Sequence, residues 1–483
     1  MSFLFVGISD YHERLLNRTV TIHSEVQRIL QTIREFREVN AFVEVFEKEA
    51  LDRAIFLDKL VHQNKFLPLI GVVIGIKDNI CYEGHISSAS SLMLKNHVSL
   101  YSSTVVQRLL SLGAIIIGRL NCDEFAMGSS NENSFYGSVR NPSDLDFVAG
   151  GSSGGCAAAV SFGGCHLSLG TDTGGSVRQP ASFCGVIGVK PTYGRVSRHG
   201  IIAFASSFDQ VGVFGKSIED VSLVTEVISG QDEHDSTCSS NLGDDLRFDS
   251  KGFLDNPDVK YNLAFCESWF ENTYIDKKFK SKFKEYCAIW TDAGHSLTPF
   301  DLSFLELLIP TYYILSTAEA SSNLGRYTGF TYGYRDMMPG TIEEILKFSR
   351  SKGFGNEVQR RILLGTFVLS EGYFDAYYVK AQKVRRILHQ EITNIFENCD
   401  GFLSPTTLNS AFKLNSKTGD PLSMYLEDQF TVLANLVGSP AISIPFAFSQ
   451  AQMPIGIQLM FPKWQEKNMF MAAKTIQNLM YGN

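Results

Sequence analysis

Apolar positions near the start of the chain recur at helical intervals. Val26, Ile29, Leu30, Ile33 and Phe36 fall on one face of a predicted helix, and a second helix is expected from Glu47 to Val61. Beyond residue 63 the period changes. Leu69 to Ile76 is an unbroken apolar run of strand length that stops at Lys77; Thr104 to Leu112 reads as a helix, and Gly113 to Gly118 as another strand. Cys156 to Phe162 reads as a short helix entered through glycines, with a strand near Leu167 to Gly170. Residues 230 to 255 turn polar and acidic, as a surface excursion would. Residues 278–395 are expected to be mainly helical, with one long amphipathic run from Asn356 to about Phe396. Strand signals return at 441–445 and 454–461, before a last helix over 465–480. The alternation predicts the α/β class: a central mixed or mostly parallel β-sheet covered by helices on both faces. Early and late strands framing a helical middle imply one large domain over 63–483, with residues 1–62 a helical segment packed on it.

Composition narrows what such a domain does. Hydrophobic residues make up 44% of the 483, enough for a sizeable core. The net charge of −8 supplies no overall basic footprint for gripping phosphate backbones. Nine cysteines form an odd set with no C-x-x-C pair, which argues against a zinc ribbon or a disulfide framework and for a reducing compartment. The stretch from Met1 to Ile8 lacks a basic n-region and is too short for a signal or a membrane span. A cytoplasmic protein with no membrane contact and no metal site is therefore expected.

Candidate chemistry concentrates in two glycine-rich stretches, Gly150-Gly-Ser152-Ser-Gly-Gly155 and Gly170-Thr-Asp-Thr-Gly-Gly-Ser176. Glycine concentrated this way implies backbone that other residues cannot adopt, or simply two tight helix-entry turns. A phosphate-binding loop would need Lys-Ser or Lys-Thr where Cys156-Ala157 stands, and the spacing for a dinucleotide fingerprint is absent. A nucleophile elbow does match Gly150-x-Ser152-x-Gly154, but it needs a downstream Asp and His, and none of the later histidines sits in an evidently catalytic loop. The remaining reading pairs both stretches with Lys77. A lysine ending an apolar strand is ordinarily a snorkelling surface group. Buried beside hydroxyls, it would be neutral and could act as a general base, which requires about 3–4 kcal/mol of environmental work to bring its pKa from about 10.4 to roughly 7–8.

These segments resemble the three signature elements of the amidase-signature enzymes: Lys77-Asp-Asn, the run through Ser152, and Gly170 to Ala181. The resemblance implies a layered α/β/α fold and a triad of Lys77, Ser152 and Ser176. In it Ser176 attacks an amide carbon, Ser152 relays protons from a cis peptide, and Lys77 is the base. The backbone N–H groups of Thr173, Gly174, Gly175 and Ser176 would form the oxyanion hole.

Further segments resemble one branch of that family, the glutaminase (A) subunits of tRNA-dependent amidotransferases. They include 129–134, 319–327, 354–365, 372–378 and 424–431. This resemblance runs from about Asn40 to the C-terminus and implies glutamine as substrate. Arg361 would pair with its carboxylate and Asp428 with its ammonium, with Tyr312 and Ser129 lining the pocket. It also implies B and C subunits in a heterotrimer. Misacylated tRNA would be handled mainly by the B subunit; ATP and Mg2+ would enter through a partner, and this chain would need no cofactor of its own. Val73, Ala149 and Leu433 stand where that branch usually has proline, which loosens turns without removing a reacting group. A free-standing amidase for aliphatic or aryl amides, which would keep the triad and not need Arg361 and Asp428, is the alternative.

Overall fold

The computed structural model describes residues 6–240, 259–271, 275–302, 305–337 and 340–481. Thirteen strands are present among them. The early ones are β1 (Phe42–Val45), β2 (Val73–Lys77), β3 (Ile115–Leu120), β4 (Arg140–Asn141), β5 (Asp144–Val148) and β6 (Leu167–Asp172). Then come β7 (Ile187–Lys190), β8 (Gln210–Gly215), β9 (Asn262–Cys266), β10 (Ser296–Phe300), β11 (Gly401–Pro405), β12 (Ala441–Phe448) and β13 (Pro454–Met460). Strands β4 and β5 form a separate ribbon; the other eleven make one sheet, ordered β1-β3-β2-β6-β8-β7-β12-β13-β11-β9-β10. Its pairings are mixed. The neighbours β3-β2-β6 and β11-β9-β10 are parallel, and the ladders between them antiparallel.

Buried strands explain the central apolar runs. Every residue of β2, β3, β6, β7 and β8 is buried, so these strands read as continuous hydrophobic stretches and not as alternating ones. The C-terminal strands β12 and β13 lie mid-sheet and join the early strands to the β11-β9-β10 group. The chain therefore closes on itself.

Several predicted elements differ in detail. The strand expected from Leu69 begins at Val73, because Gly71 turns the chain at φ +75°. The helix Ile22–Glu35 buries Val26, Ile29, Leu30 and Ile33, but ends before Phe36, which is exposed and stacks on Phe162. Residues 1–62 are not purely helical, since β1 pairs with β3 at the sheet edge. Within 278–395 lies β10, and the long amphipathic run is broken. Helices Asn356–Val368 and Lys380–Phe396 are separated by Gly372 at φ +84° and a π-turn over Asp375–Val379. Most of the polar stretch 230–255 falls outside the described residues. Among those described, no helix is long and apolar enough to cross a membrane.

Candidate active site

Parallel neighbours β2 and β6 bring their C-terminal ends together, the usual place for a site in such sheets. Lys77 ends β2, and Thr171 and Asp172 end β6. Ser152 precedes the helix Gly154–Phe162, which packs so closely that a Cβ on Gly155 would lie 2.4 Å from the Asn121 carbonyl oxygen. The Gly151–Ser152 peptide is cis.

Lys77 is fully buried, with Nζ 2.7 Å from Ser152 Oγ, 2.8 Å from Ser153 Oγ and 3.1 Å from Thr171 Oγ1. Proton counting in this cluster is informative. The Ser153 hydroxyl donates to the Thr171 carbonyl at 3.1 Å, so its oxygen faces Lys77 as an acceptor. Thr171 Oγ1 also accepts from Asn79 Nδ2 at 3.1 Å. An ammonium can donate to all three hydroxyl oxygens, whereas an uncharged amine donates to Ser153 and Thr171 and turns its lone pair to the Ser152 hydroxyl. Burial lowers the Lys77 pKa, and nearby Cys122, Cys156, Asp123 and Asp172 only partly oppose it.

Ser176 is the most exposed member of the predicted triad, at 8%. Its carbonyl accepts from Ser153 N–H at 3.2 Å, which brings the two serine stretches together. Among the described residues its hydroxyl has no hydrogen-bond partner. The loop around it is pinned by Asp172, whose carboxylate accepts from Gly175 N–H, Val177 N–H, Arg178 and Asn435 at 2.9–3.1 Å. Burial would raise the Asp172 carboxyl, but the Arg178 guanidinium overrides it and holds the pKa at about 2. Arg178 also donates to the Thr431 carbonyl, Gln458 and Asn435. One expectation is corrected here. The Gly175 N–H is consumed by Asp172, which leaves those of Thr173, Gly174 and Ser176 as the candidate oxyanion donors.

The predicted substrate residues converge beside this loop. Asp428 Oδ2 accepts from Ser129 Oγ at 2.8 Å and from the Tyr313 hydroxyl at 3.1 Å. Burial raises its carboxyl to about 7 despite the Ser129 bond and the nearby Arg361. Arg361 is buried, donates from Nε to Glu357 at 2.8 Å, and sits over the rings of Tyr313, Phe204 and Tyr425 at 5.2–5.7 Å. Tyr425 donates to the same Glu357 oxygen at 3.1 Å. Tyr312 covers Gly174, where a Cβ would come within 2.4 Å of its ring.

Sequence reasoning missed Ser153 and Thr171 as Lys77 partners, Tyr313 as the Asp428 donor, Glu357 as the Arg361 counterion, and Gln179. Gln179 accepts from Gly151 N–H at 2.9 Å and donates to the Ser129 carbonyl at 2.7 Å, so it ties the serine loop to the substrate side. Ser153 lies inside the motif and Tyr313 adjoins Tyr312, but only the folded contacts single them out. Among the described residues no cluster of three or more His, Cys, Asp or Glu is placed to hold a metal ion.

Comparison with known proteins adds three findings. A sequence model of the family described as Amidase matches residues 25–470. The A subunit of the glutamyl-tRNA(Gln) amidotransferase of Legionella pneumophila (strain Philadelphia 1) is 42% identical over 471 residues, covering 98% of this chain and 96% of that one. Its counterpart from Prochlorococcus marinus (strain MIT 9211) is 46% identical over 455 residues, covering 94% and 92%. Among solved structures, the same protein from Thermotoga maritima superposes with a TM-score of 0.75 at 36% identity, covering 96% of each chain. A peptide amidase from Stenotrophomonas maltophilia superposes at 0.83 with 24% identity, covering 98% of this chain and 97% of that one, which speaks to the fold alone.

Proposed function

The chain belongs to the amidase family, and from that premise we propose that it is the glutaminase (A) subunit of a tRNA-dependent amidotransferase. The observation that carries this reading is the meeting of two groups of side chains around the Ser176 loop. A buried lysine whose pKa is lowered by burial touches Ser152, and side chains of opposite charge, Arg361 and Asp428, flank Tyr313 beside the Ser176 loop.

Glutamine offers a carboxylate to Arg361, an ammonium to Asp428 and a side-chain amide to Ser176. In the mechanism, neutral Lys77 takes the Ser152 proton while Ser152 takes that of Ser176, whose oxygen attacks the amide carbon. The tetrahedral oxyanion is met by the N–H groups of Thr173, Gly174 and Ser176, each commonly worth about 2.7–4 kcal/mol in the transition state. The proton returns along the same relay to the departing nitrogen. Ammonia leaves, a γ-glutamyl ester remains on Ser176, and water attacks it with the relay again as base. The Ser152–Ser176 hydrogen bond would form in the substrate complex, as catalytic contacts often do.

In this reading ammonia passes to a B subunit that activates glutamate on misacylated tRNA(Gln), or aspartate on misacylated tRNA(Asn), with ATP and Mg2+ bound there, and a C subunit completes the complex. The acidic net charge of this chain is consistent with tRNA being gripped elsewhere. A free-standing amidase would have no use for a matched Arg361 and Asp428 pair. The test is ammonia release from glutamine and from propionamide, with and without co-expressed partners, together with mass spectrometry of a γ-electrophilic glutamine analogue. Glutamine preference and a label on Ser176 are expected. Propionamide preference unaffected by partners, or a label on Ser152, would sink the proposal.

A further inference from the structure

The helix Asn356–Val368, which carries Arg361 and Glu357, has no side-chain cap of its own; its N-cap is Gly355. The N-terminus is held from far away in sequence. Glu124, buried, accepts the Gly355 N–H at 2.7 Å through Oε2 and the Ser91 hydroxyl at 2.5 Å through Oε1. An acidic side chain suits this place, because its oxygen satisfies an orphan N–H at the positive end of the helix dipole, although burial raises its carboxyl to about 7.

The preceding residue faces the other way. Asp123 N–H donates to the Ser152 carbonyl at 3.0 Å, and its carboxylate accepts from the N–H groups of Asn131 and Asn133 at 2.9 and 3.1 Å. It also presses on the serine loop: a Cβ on Gly151 would lie 2.1 Å from Asp123 Oδ2. Two adjacent carboxylates thus reach the two halves of the site, Asp123 the serine loop and Glu124 the substrate helix.

We propose that Glu124 is a positioning residue that fixes the distance between the Arg361 anchor and the serine loop, and so selects a substrate of glutamine's length over one a methylene shorter. Arg361 lies six residues beyond Gly355, about 9 Å along the helix axis, so a tilt of the first turn displaces the guanidinium. Misplacement by about 1 Å can cost roughly a hundredfold in rate, and one methylene is the whole difference between glutamine and asparagine. The inference rests on the reading of Arg361 as the carboxylate anchor.

The experiment compares Glu124→Leu, Glu124→Gln and Gly355→Ala with wild type in the full chain co-expressed with its partners. Glutamine KM, kcat and the glutamine-to-asparagine ratio of kcat/KM are measured. Glu124→Leu removes the acceptor. Gly355→Ala attacks the same contact from the opposite side: at φ −71° the backbone suits alanine, but its Cβ would sit 2.5 Å from Glu124 Oε2. Both are expected to raise glutamine KM about tenfold, to narrow the glutamine preference, and to change kcat less than KM. Glu124→Gln keeps an acceptor and should stay within about threefold of wild-type KM. The double variant Glu124→Leu/Gly355→Ala should be less than additive. If Glu124→Leu does not fold, Gly355→Ala carries the test. Arg361→Lys separates the two layers. Raised KM in Arg361→Lys with unchanged KM and preference in the Glu124 and Gly355 variants overturns this proposal alone. Unchanged KM in Arg361→Lys overturns both.

Discussion

The Asp428 carboxyl sits at about 7 because burial disfavours its charge more than Ser129, Arg361 and Tyr313 favour it. On the proposed role of Asp428, the glutamine ammonium is held by the carboxylate and not by the acid, so only the ionised fraction of the protein should bind glutamine well. At pH 6 that fraction is about 9% and at pH 8 about 91%, since one pH unit is a factor of ten in the ratio. Apparent affinity scales with the competent fraction, so glutamine should bind roughly tenfold more tightly at pH 8 than at pH 6. The sign follows from a raised pKa on an acid: competence is lost as pH falls through about 7. Lys77 titration would confound a rate measurement. The assay is therefore equilibrium binding of glutamine to Ser176→Ala by calorimetry across pH 6–8, repeated with Asp428→Asn added. The added substitution should weaken binding at high pH and flatten the profile. A flat profile with Asp428 intact, or the same slope in Asp428→Asn, would refute the reasoning.

Three further outcomes are expected. Ser176→Ala should abolish glutamine-dependent transamidation by the complex while ammonia-dependent transamidation persists; loss of both would make Ser176 structural. Lys77→Arg should lack glutaminase activity, because a guanidinium stays protonated and cannot accept the Ser152 proton; substantial turnover would remove Lys77 as the base. Arg178→Met strands the buried Asp172 carboxylate and should destabilise the fold by about 3–5 kcal/mol, read as a lowered denaturant midpoint; an unchanged midpoint would mean the network is dispensable.

What was legible in the sequence followed from how local each signal is. Lys77, Ser152 and Ser176 announce themselves through glycines and an apolar strand within a few residues of each. Arg361 and Asp428 needed the resemblance to related chains, since alone each reads as an ordinary helix charge. Tyr313, Gln179 and Glu124 were out of reach because their meaning lies in partners 28 to 231 positions away. Glu357 stands one helical turn from Arg361, a spacing common to many solvated pairs, so only the burial of Arg361 marks the pair out. Edge strand β1 was invisible for another reason. Its four residues lie in a short gap between two helices, so their apolar character reads as part of the helical segment around them. The Gly175 N–H illustrates a third limit, because the motif gives the residue but not the direction of its backbone. Phe36 continued a helical spacing one position beyond where the helix stops.

Because Arg178 is gripped by the Thr431 carbonyl, Asn435 and Gln458, the loop is completed by residues 253 to 280 positions further along the chain. A chain still emerging from the ribosome already contains Lys77, Ser152 and Ser176, yet lacks the clasp that seats them. Seating of the Ser176 loop therefore waits on synthesis of residues 431–458, long after the serine stretches themselves have been made.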